Sequence, residues 1–153
     1  PEQRYNSEGT EKIAFLVTAN PGQPLQPLSK VASGGELSRI SLAIQVVTVT
    51  DSSVPCLIFD EVDVGIGGGT AEVVGNLLYK IARKAQVLCV THQAQVASKG
   101  DQHYRVMKTS VNKDTTTFIE DLDTERRTEE IARMIGGIKI TEQTRKHAQE
   151  MLI

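Results

Sequence analysis

The sequence predicts an α/β domain with a largely parallel sheet, flanking helices and a C-terminal helical tail, all within a single domain spanning 1–153. Two short apolar runs, 56–59 and 86–91, have the length and continuity of parallel strands that are covered on both faces. Segments with helical spacing follow these runs, and the order strand, helix, strand, helix is typical of α/β folds. Two further helical segments near the end of the sequence predict the tail.

The first part of the chain is predicted to hold a strand, a loop and a helix. The apolar run at 12–19 favours a strand, and the prolines and glycine of 20–27 favour a turn-rich loop. From Glu36 to about Val49 apolar residues recur at helical spacing, which predicts a helix. The apolar positions of this helix are Leu37, Ile40, Ile44 and Val47.

The middle of the chain alternates predicted strands and helices. The strand at 56–59 leads into the glycine-rich stretch Gly65–Gly69, after which Thr70 is expected to cap a helix. The strand at 86–91 follows, and then a short helix near Ala94–Ala97. The spacing predicts the core face of the longer helix as Val73, Val74, Leu77, Leu78 and Ile81.

The last part of the chain is predicted to add two strands, at 102–108 and 115–121. A helix from Thr124 to Ile135 should end at Gly136-Gly137, because glycine is the usual residue after a helix C-terminus. A final helix is predicted at 141–152.

Composition restricts the functional classes. Hydrophobic residues make up 39% and charged residues 24% of the chain, a balance typical of a globular domain rather than a disordered one. The formal net charge of −2 gives no electrostatic indication of nucleic-acid binding, and no apolar stretch approaches membrane-spanning length. Cys56 and Cys89 lie in short apolar runs without metal-ligand neighbours, so we expect reduced, buried thiols.

A glycine-rich turn, Ser33-Gly34-Gly35-Glu36, opens the first predicted helix. A capping box, with Ser33 as the cap and Glu36 reaching back to it, would explain the two outer residues. It would not explain the glycines, because each costs roughly 1 kcal/mol relative to alanine inside a helix. Glycines allow close approach to the backbone, and the free N–H groups of a helix N-terminus attract phosphate. Helix capping and phosphate binding therefore both remain open.

Two carboxylates, Asp60 and Glu61, follow the strand at 56–59, at the strand end where ligands of open α/β sheets bind. Asp60 is suited to hold Mg²⁺, usually through water, and Glu61 is suited to polarise an attacking water molecule. The alternative is a strand that simply ends in solvated acids. Asp63 follows in a loop, where it could be an ordinary turn residue or lie at a subunit contact.

The second buried strand ends in Thr91-His92 and would bring His92 to the same sheet edge. There the imidazole could contact a γ-phosphate and orient water. A single histidine is more often structural, but this position after a buried strand favours a functional role. His103 and His147 have no such context, and we expect both at the surface.

Taken together, these motifs resemble the RecN type of ABC and SMC-like ATPase head. Four segments resemble, in the family's order and spacing, the signature motif (28–39), the Walker B strand (57–61), the D-loop (62–66) and the H-loop (90–97). The match runs from about Leu25 to Ala97, and 131–137 resembles the family's C-terminal region more weakly.

This resemblance implies the C-terminal lobe of an ABC-type head, with a P-loop NTPase-like fold. Such heads dimerise head to tail around two ATP molecules, so that the signature turn of one head meets the γ-phosphate bound to the other. The residues implied are Ser33, Gly34, Gly35, Glu36 and Asp63 for nucleotide binding, Asp60 for Mg²⁺, Glu61 as general base and His92 as γ-phosphate sensor.

The resemblance also implies a biological setting. RecN-type proteins act in DNA double-strand break repair and recombination, so a bacterial, cytoplasmic and nucleoid-associated protein that contacts DNA and no membrane is expected. Its partners would be a second copy of itself and the N-terminal lobe of the same protein.

One family feature is missing from this sequence. No Gly-x-x-x-x-Gly-Lys-Ser/Thr phosphate loop occurs, and no lysine directly follows the glycines of Gly65–Gly69. We therefore expect a piece of a longer protein whose N-terminal lobe and coiled coil lie elsewhere, with no ATPase activity from 1–153 alone. Two alternatives remain open: the head of another ABC or SMC-like system, and a non-enzymatic dimerisation module.

Overall fold

The computed structural model describes residues 9, 13–18, 22–30, 34–48, 54–111, 114–137 and 139–152. The strands are β1 (Leu16–Val17), β2 (Gln26–Pro27), β3 (Cys56–Phe59), β4 (Gln86–Cys89), β5 (Tyr104–Val111) and β6 (Asp114–Asp121). The helices are α1 (Gly34–Thr48), α2 (Gly68–Ala82), α3 (Ala94–Ala97), α4 (Thr124–Gly136) and α5 (Glu142–Met151), with a 3₁₀ turn at Leu28–Lys30. The resulting arrangement of helices around small sheets is of the α/β class that the sequence predicts.

The pair β3–β4 is parallel, as expected, with Phe59 beside Cys89 at its carboxyl end. Its side chains alternate between two faces, and Leu57, Phe59, Val87 and Cys89 pack into the main core. On the other face Ile58 is 72% exposed and Val90, just past the end of β4, is 63% exposed. The prediction of strands covered on both faces therefore holds for one face within the described residues.

Helix α2 covers the packed face of this sheet, but it begins and packs differently from the prediction. Its N-terminal cap is Gly67, so Thr70 lies inside the first turn rather than capping the helix. Val73 is exposed, and the buried face instead uses Ala71 and Gly75 beside the predicted Val74, Leu78 and Ile81. The reason is helix packing: a side chain on Gly75 would meet the Gln95 carbonyl oxygen, beside α3, at 2.8 Å, so position 75 has no room for a side chain.

Helix α1 also buries a different stripe from the one predicted. Leu42 is fully buried and Val46 packs beside it against the main core, while Leu37, Ile44 and Val47 are exposed. Two apolar stripes occur on this helix, and contact with α2 and β3 determines which one is buried. The helix starts at Gly34, two positions before the predicted start.

The chain after α3 forms an antiparallel hairpin, β5–β6, followed by the paired helices α4 and α5. Helix α4 ends at the predicted glycines, with Gly137 at φ 66°, and Asp123 caps its start by accepting from the Arg126 N–H at 2.9 Å. Thr141 caps α5 by accepting from the Thr144 N–H. A second core cluster, Ala94, Ile131, Ala132 and Ala148, joins α3 to both helices. The helical tail is thus packed rather than free.

At the start of the chain, the predicted strand at 12–19 is reduced to β1, because the described residues 13–15 and 18 are not part of a strand, and Lys12 and Ala19 lie outside the described residues. Its partner β2 lies at the end of the segment predicted as a loop, and the two form a short antiparallel ladder. Among the described residues, no helix has both the length and the apolar character needed to cross a membrane.

Candidate functional site

The loops that follow β3 and β4 lie side by side at the carboxyl end of the parallel pair. The Val90 N–H donates to the Phe59 carbonyl at 2.9 Å, which continues the ladder to the first residues of both loops. Asp60-Glu61 and Thr91-His92 are therefore neighbours. The sequence prediction that these residues share one sheet edge is confirmed by this pairing.

Asp63 holds the two loops together. Its side chain is buried, with the residue 1% exposed, and its Oδ2 atom accepts hydrogen bonds from the Thr91 hydroxyl, the His92 N–H at 3.0 Å and the Gln93 N–H at 3.2 Å. A carboxylate is well suited to collect several N–H and O–H donors. Asp63 was predicted to bind nucleotide, but this carboxylate is occupied by donors of its own chain. Its position is that of a residue that orients the loop after β4.

His92 projects from this anchored loop with its side chain 64% exposed. Its Nδ1 lies 3.3 Å from Asp63 Oδ2, and its Nε2 lies 3.3 Å from the Gln93 side-chain nitrogen. Because the Asp63 carboxylate only accepts hydrogen bonds, this contact places a proton on the His92 Nδ1 atom. The exposed Nε2 edge then faces solvent, where a ligand could reach it.

Gln93 is a residue that the sequence analysis did not single out. Its amide nitrogen donates to the Ile66 carbonyl at 2.9 Å, which adds a second bridge between the two loops. The side chain follows His92 directly, in a segment identified only by its resemblance to the H-loop. An amide one residue after a histidine gives no local signal of this role.

Glu61 has an unusual backbone conformation, with φ 58°, the only positive φ at a non-glycine residue among the described part of the chain. This left-handed region costs an L-residue with a side chain about 1–2 kcal/mol. The turn is closed by a hydrogen bond from the Val64 N–H to the Glu61 carbonyl at 3.2 Å. The exposed carboxylate of Glu61 is thus presented by a strained, hydrogen-bonded turn.

The two glycines of the signature turn pack against this same loop. A side chain on Gly34 would approach the Glu61 Oε2 atom to 3.0 Å, and one on Gly35 would approach the Val64 carbonyl oxygen to 3.0 Å. The predicted close approach of another group to the backbone of Gly34 and Gly35 is therefore observed. In this structure the approaching group is the loop at 61–64 of the same chain rather than a ligand. Ser33 lies outside the described residues, so the choice between helix capping and phosphate binding stays a prediction for that residue.

Glu36 lies in the first turn of α1 and is half-buried. An acidic side chain at this point interacts favourably with the positive end of the helix dipole. That contact suits a helix-stabilising role, and it leaves the predicted nucleotide contact of Glu36 as a prediction.

Asp60 is exposed and borders a small cavity of about 190 Å³, together with Ser38, Ser41 and Gln45 of α1. No group of three or more His, Cys, Asp or Glu side chains within the described ranges is arranged to hold a metal ion. A Mg²⁺ ion would suit such a site, since Mg²⁺ keeps several waters and takes one or two carboxylates plus phosphate oxygens. Asp60 is suited to provide one such carboxylate ligand.

The two cysteines are free, as predicted, but they are half-buried rather than fully buried. Burial, helped by the nearby Asp63 and Asp60 carboxylates, raises the pKa of the Cys89 thiol to about 12. A thiol in this state is a poor nucleophile. Cys89 therefore contributes packing beneath the site rather than chemistry.

The other histidines lie away from the site. His147 is exposed, as predicted, but His103 is half-buried, and its Nδ1 atom has no hydrogen-bond partner within the described structure. Burial, together with the neighbouring Arg127 charge, lowers the pKa of His103. The prediction of a surface position is wrong for His103, because the hairpin folds against α4 beside it.

Comparison with characterised sequences gives close matches of one kind. The chain is 56% identical over 145 residues to the DNA repair protein RecN of Vibrio cholerae, covering 95% of the chain and 26% of that relative. It is 42% identical over 149 residues to RecN of Bacillus subtilis and 44% identical over 151 residues to RecN of Treponema pallidum. The chain spans about a quarter of the length of these relatives. A comparison with protein-family profiles finds no match.

Comparison with solved structures supports the same fold. A chain from a study of ATP-driven dimerization and DNA-stimulated activation of SMC ATPases superposes with a TM-score of 0.54 at 17% identity, covering 82% of this chain and 83% of that one. The Smc head domain with a coiled coil and joint derived from Pyrococcus yayanosii gives a TM-score of 0.57 at 19% identity, covering 77% of this chain and 25% of that one. The chain therefore shares its α/β fold with part of these two SMC structures.

Proposed function

Since the chain belongs to the RecN family of DNA repair proteins, we propose that it forms half of an ATP-binding and hydrolysis site in an SMC-like head. The full-length protein would use this site for ATP-dependent head dimerisation during double-strand break repair and recombination. The identity of 42–56% to RecN relatives, against 17–19% to SMC heads, favours RecN over another ABC or SMC-like system.

The observation that carries this proposal is the joining of the two loops at the end of the parallel pair. An exposed carboxylate pair, Asp60 and Glu61, lies beside an exposed imidazole, His92, and a buried Asp63 fixes one loop relative to the other. Phosphoryl transfer depends mainly on positioning and on charge stabilisation, so a preorganised acid and imidazole suit this chemistry. A strand that ended in unrelated solvated acids would need no buried anchor of this kind.

Each residue of this edge then has a role. Glu61 accepts a proton from the attacking water, and the exposed His92 ring faces the γ-phosphate, to which Nε2 donates when it carries a proton. Asp60 would hold Mg²⁺, through water, and the ion would supply positive charge beside the phosphate oxygens. Asp63, buried beneath the two loops, orients His92, and the contact of Asp63 with nucleotide stays a prediction.

The signature turn serves the opposite site of a dimer. Gly34 and Gly35 open α1, whose N-terminal N–H groups and dipole favour an anion, and Ser33 and Glu36 would complete the contact with the γ-phosphate held by the partner head.

The exposed face of the β3–β4 sheet supports a further partner, the N-terminal lobe of the same protein. Ile58, Leu88 and Val90 lie on this face, and apolar strands of a parallel sheet are normally covered on both sides. The lobe would also supply the phosphate loop that this sequence does not contain. DNA binding, a cytoplasmic location and association with the nucleoid remain proposals drawn from the bacterial RecN relatives.

The test of this function is Glu61→Gln in the full-length protein. The variant should bind ATP with unchanged affinity but hydrolyse it at a small fraction of the wild-type rate, because the shape is kept and the base is lost. Trapped ATP should then stabilise the head dimer, which sizing chromatography with ATP would detect. The matched control is Glu72→Gln, which changes an exposed glutamate of α2 and should leave turnover unchanged.

Wild-type turnover in Glu61→Gln would refute the proposal. Isolated 1–153 should show no ATPase activity above background, since it has no phosphate loop. If full-length protein dimerises with ATP but never hydrolyses it, the non-enzymatic dimerisation module is the better description.

A further inference from the structure

Arg39 links the signature turn to the loop that carries Glu61. It lies in the second turn of α1, and its Nη1 atom donates to the Val64 carbonyl at 2.9 Å. Within the described residues Arg39 makes no ion pair, so this carbonyl is the group that fixes the position of its guanidinium. A charged donor makes a stronger hydrogen bond than a neutral one.

The glycine beneath Arg39 makes this bond possible. A side chain on Gly35 would lie 3.2 Å from the Arg39 Nη1 atom and 3.0 Å from the Val64 carbonyl oxygen. Donor and acceptor thus meet directly above the buried backbone of Gly35. A side chain at this position would require α1 or the loop to shift by a few tenths of an ångström.

Val64 connects the Arg39 hydrogen bond to the backbone segments that position Glu61 and His92. Its N–H donates to the Glu61 carbonyl at 3.2 Å, which closes the strained turn at Glu61. Its neighbour Asp63 anchors the loop that carries His92. A shift of Val64 therefore changes the backbone of Glu61 on one side and the anchor of His92 on the other.

We propose that Arg39 is a positioning residue that couples the signature turn to Glu61. The inference rests on the proposed function, in which the turn serves the partner's ATP and Glu61 serves the chain's own. Contact of the turn with the partner's γ-phosphate pulls on α1, and the Arg39–Val64 hydrogen bond transmits that movement to the turn holding Glu61. The two ATP sites of the dimer are then energetically coupled, so each site hydrolyses ATP fastest when both sites have ATP bound.

The experiment measures steady-state ATP hydrolysis by the full-length protein. Arg39→Met, which keeps length and removes every donor, should lower kcat about tenfold, within the usual range of coupling between sites, while KM changes little. The Hill coefficient for ATP should fall towards one. Arg39→Lys restores a charged donor and should recover both kcat and the Hill coefficient to near wild-type values. The matched control is Arg83→Met, at an exposed arginine just after α2.

Three results would overturn the inference: an unchanged kcat in Arg39→Met, a rise in KM alone, or an Arg39→Lys variant as slow as Arg39→Met. Thermal melts accompany each variant, and if Arg39→Met does not fold, Arg39→Gln takes its place: an unchanged kcat together with an unchanged Hill coefficient in that variant refutes the coupling. Glu61→Gln separates the two proposals. Turnover that does not need Glu61 contradicts the proposed function, whereas Glu61-dependent turnover that ignores Arg39 contradicts only the coupling.

Discussion

Replacing Asp63 by alanine should release the loop that carries His92. The carboxylate accepts from the backbone N–H groups of His92 and Gln93 at 3.0 and 3.2 Å and from the Thr91 hydroxyl. A hydrogen bond to a charged group contributes about 1.5–3 kcal/mol, and the lower end applies here because water can reach the exposed side of this loop. The two backbone bonds alone then contribute roughly 3 kcal/mol to the free energy of opening this loop.

Amide hydrogen exchange of the full-length protein measures this quantity directly. A loss of roughly 3 kcal/mol in local opening corresponds to about a hundredfold lower protection of the His92 and Gln93 amides. The effect should be confined to peptides that cover 90–97 if the loop opens as a local unit. Asp121→Ala removes an exposed aspartate of β6 and serves as the matched control.

A protection change below about threefold in Asp63→Ala would show that the buried carboxylate does not hold this loop. Loss of protection throughout β3 and β4 would refute the reasoning in another way, because Asp63 would then stabilise the whole core. Asp63→Asn provides an internal check, since the amide keeps one acceptor oxygen and should cost less than alanine.

Two further predictions concern stability. Burial raises the pKa of Glu130, but the ion pairs with Arg133 and Arg105 outweigh burial and lower this pKa below the ordinary 4.5. The ion pairs therefore stabilise the fold above that pH. This stabilisation is lost as the pH falls through the folded-state pKa of Glu130. The melting temperature of Glu130→Gln should accordingly lie below wild type at neutral pH, and the difference should shrink in acid; a constant difference from pH 7 to pH 3 would contradict this. Gly75→Ala should lower stability by about 1–3 kcal/mol through overpacking against α3, whereas Gly69→Ala, with open space around it, should be neutral or stabilising. Equal melting temperatures for the two alanine variants would disprove the packing argument.

The sequence predicts the framework of the site well, for a simple physical reason. Continuous apolar runs such as 56–59 identify buried strands, and parallel strands bring their carboxyl ends to one edge, so the neighbourhood of Asp60, Glu61 and His92 follows from local pattern alone. The caps of α4 and α5 also follow from local chemistry, since Asp123 and Thr141 bond to backbone within their own first turns.

What the sequence could not predict depends on contacts between distant segments. The role of Asp63 arises from N–H groups about thirty residues away, and no local pattern distinguishes it from a turn residue. The buried stripe of α1 and the small-residue face of α2 are chosen by neighbouring helices, which is why Leu42 and Gly75 were missed. Arg39 was passed over for the same reason, because its acceptor is a backbone carbonyl in another loop.

The positive φ at Glu61 has a consequence for anyone who redesigns this segment. A designer who optimised the free energy of folding alone would place glycine or asparagine at this position, because both tolerate the left-handed region. A redesign guided by stability alone would therefore replace Glu61 early, and the resulting protein would be more stable but would lack the catalytic carboxylate. Conversely, a glutamate at a backbone position with positive φ costs folding stability. Its presence at such a position in another protein therefore indicates a functional rather than a structural role.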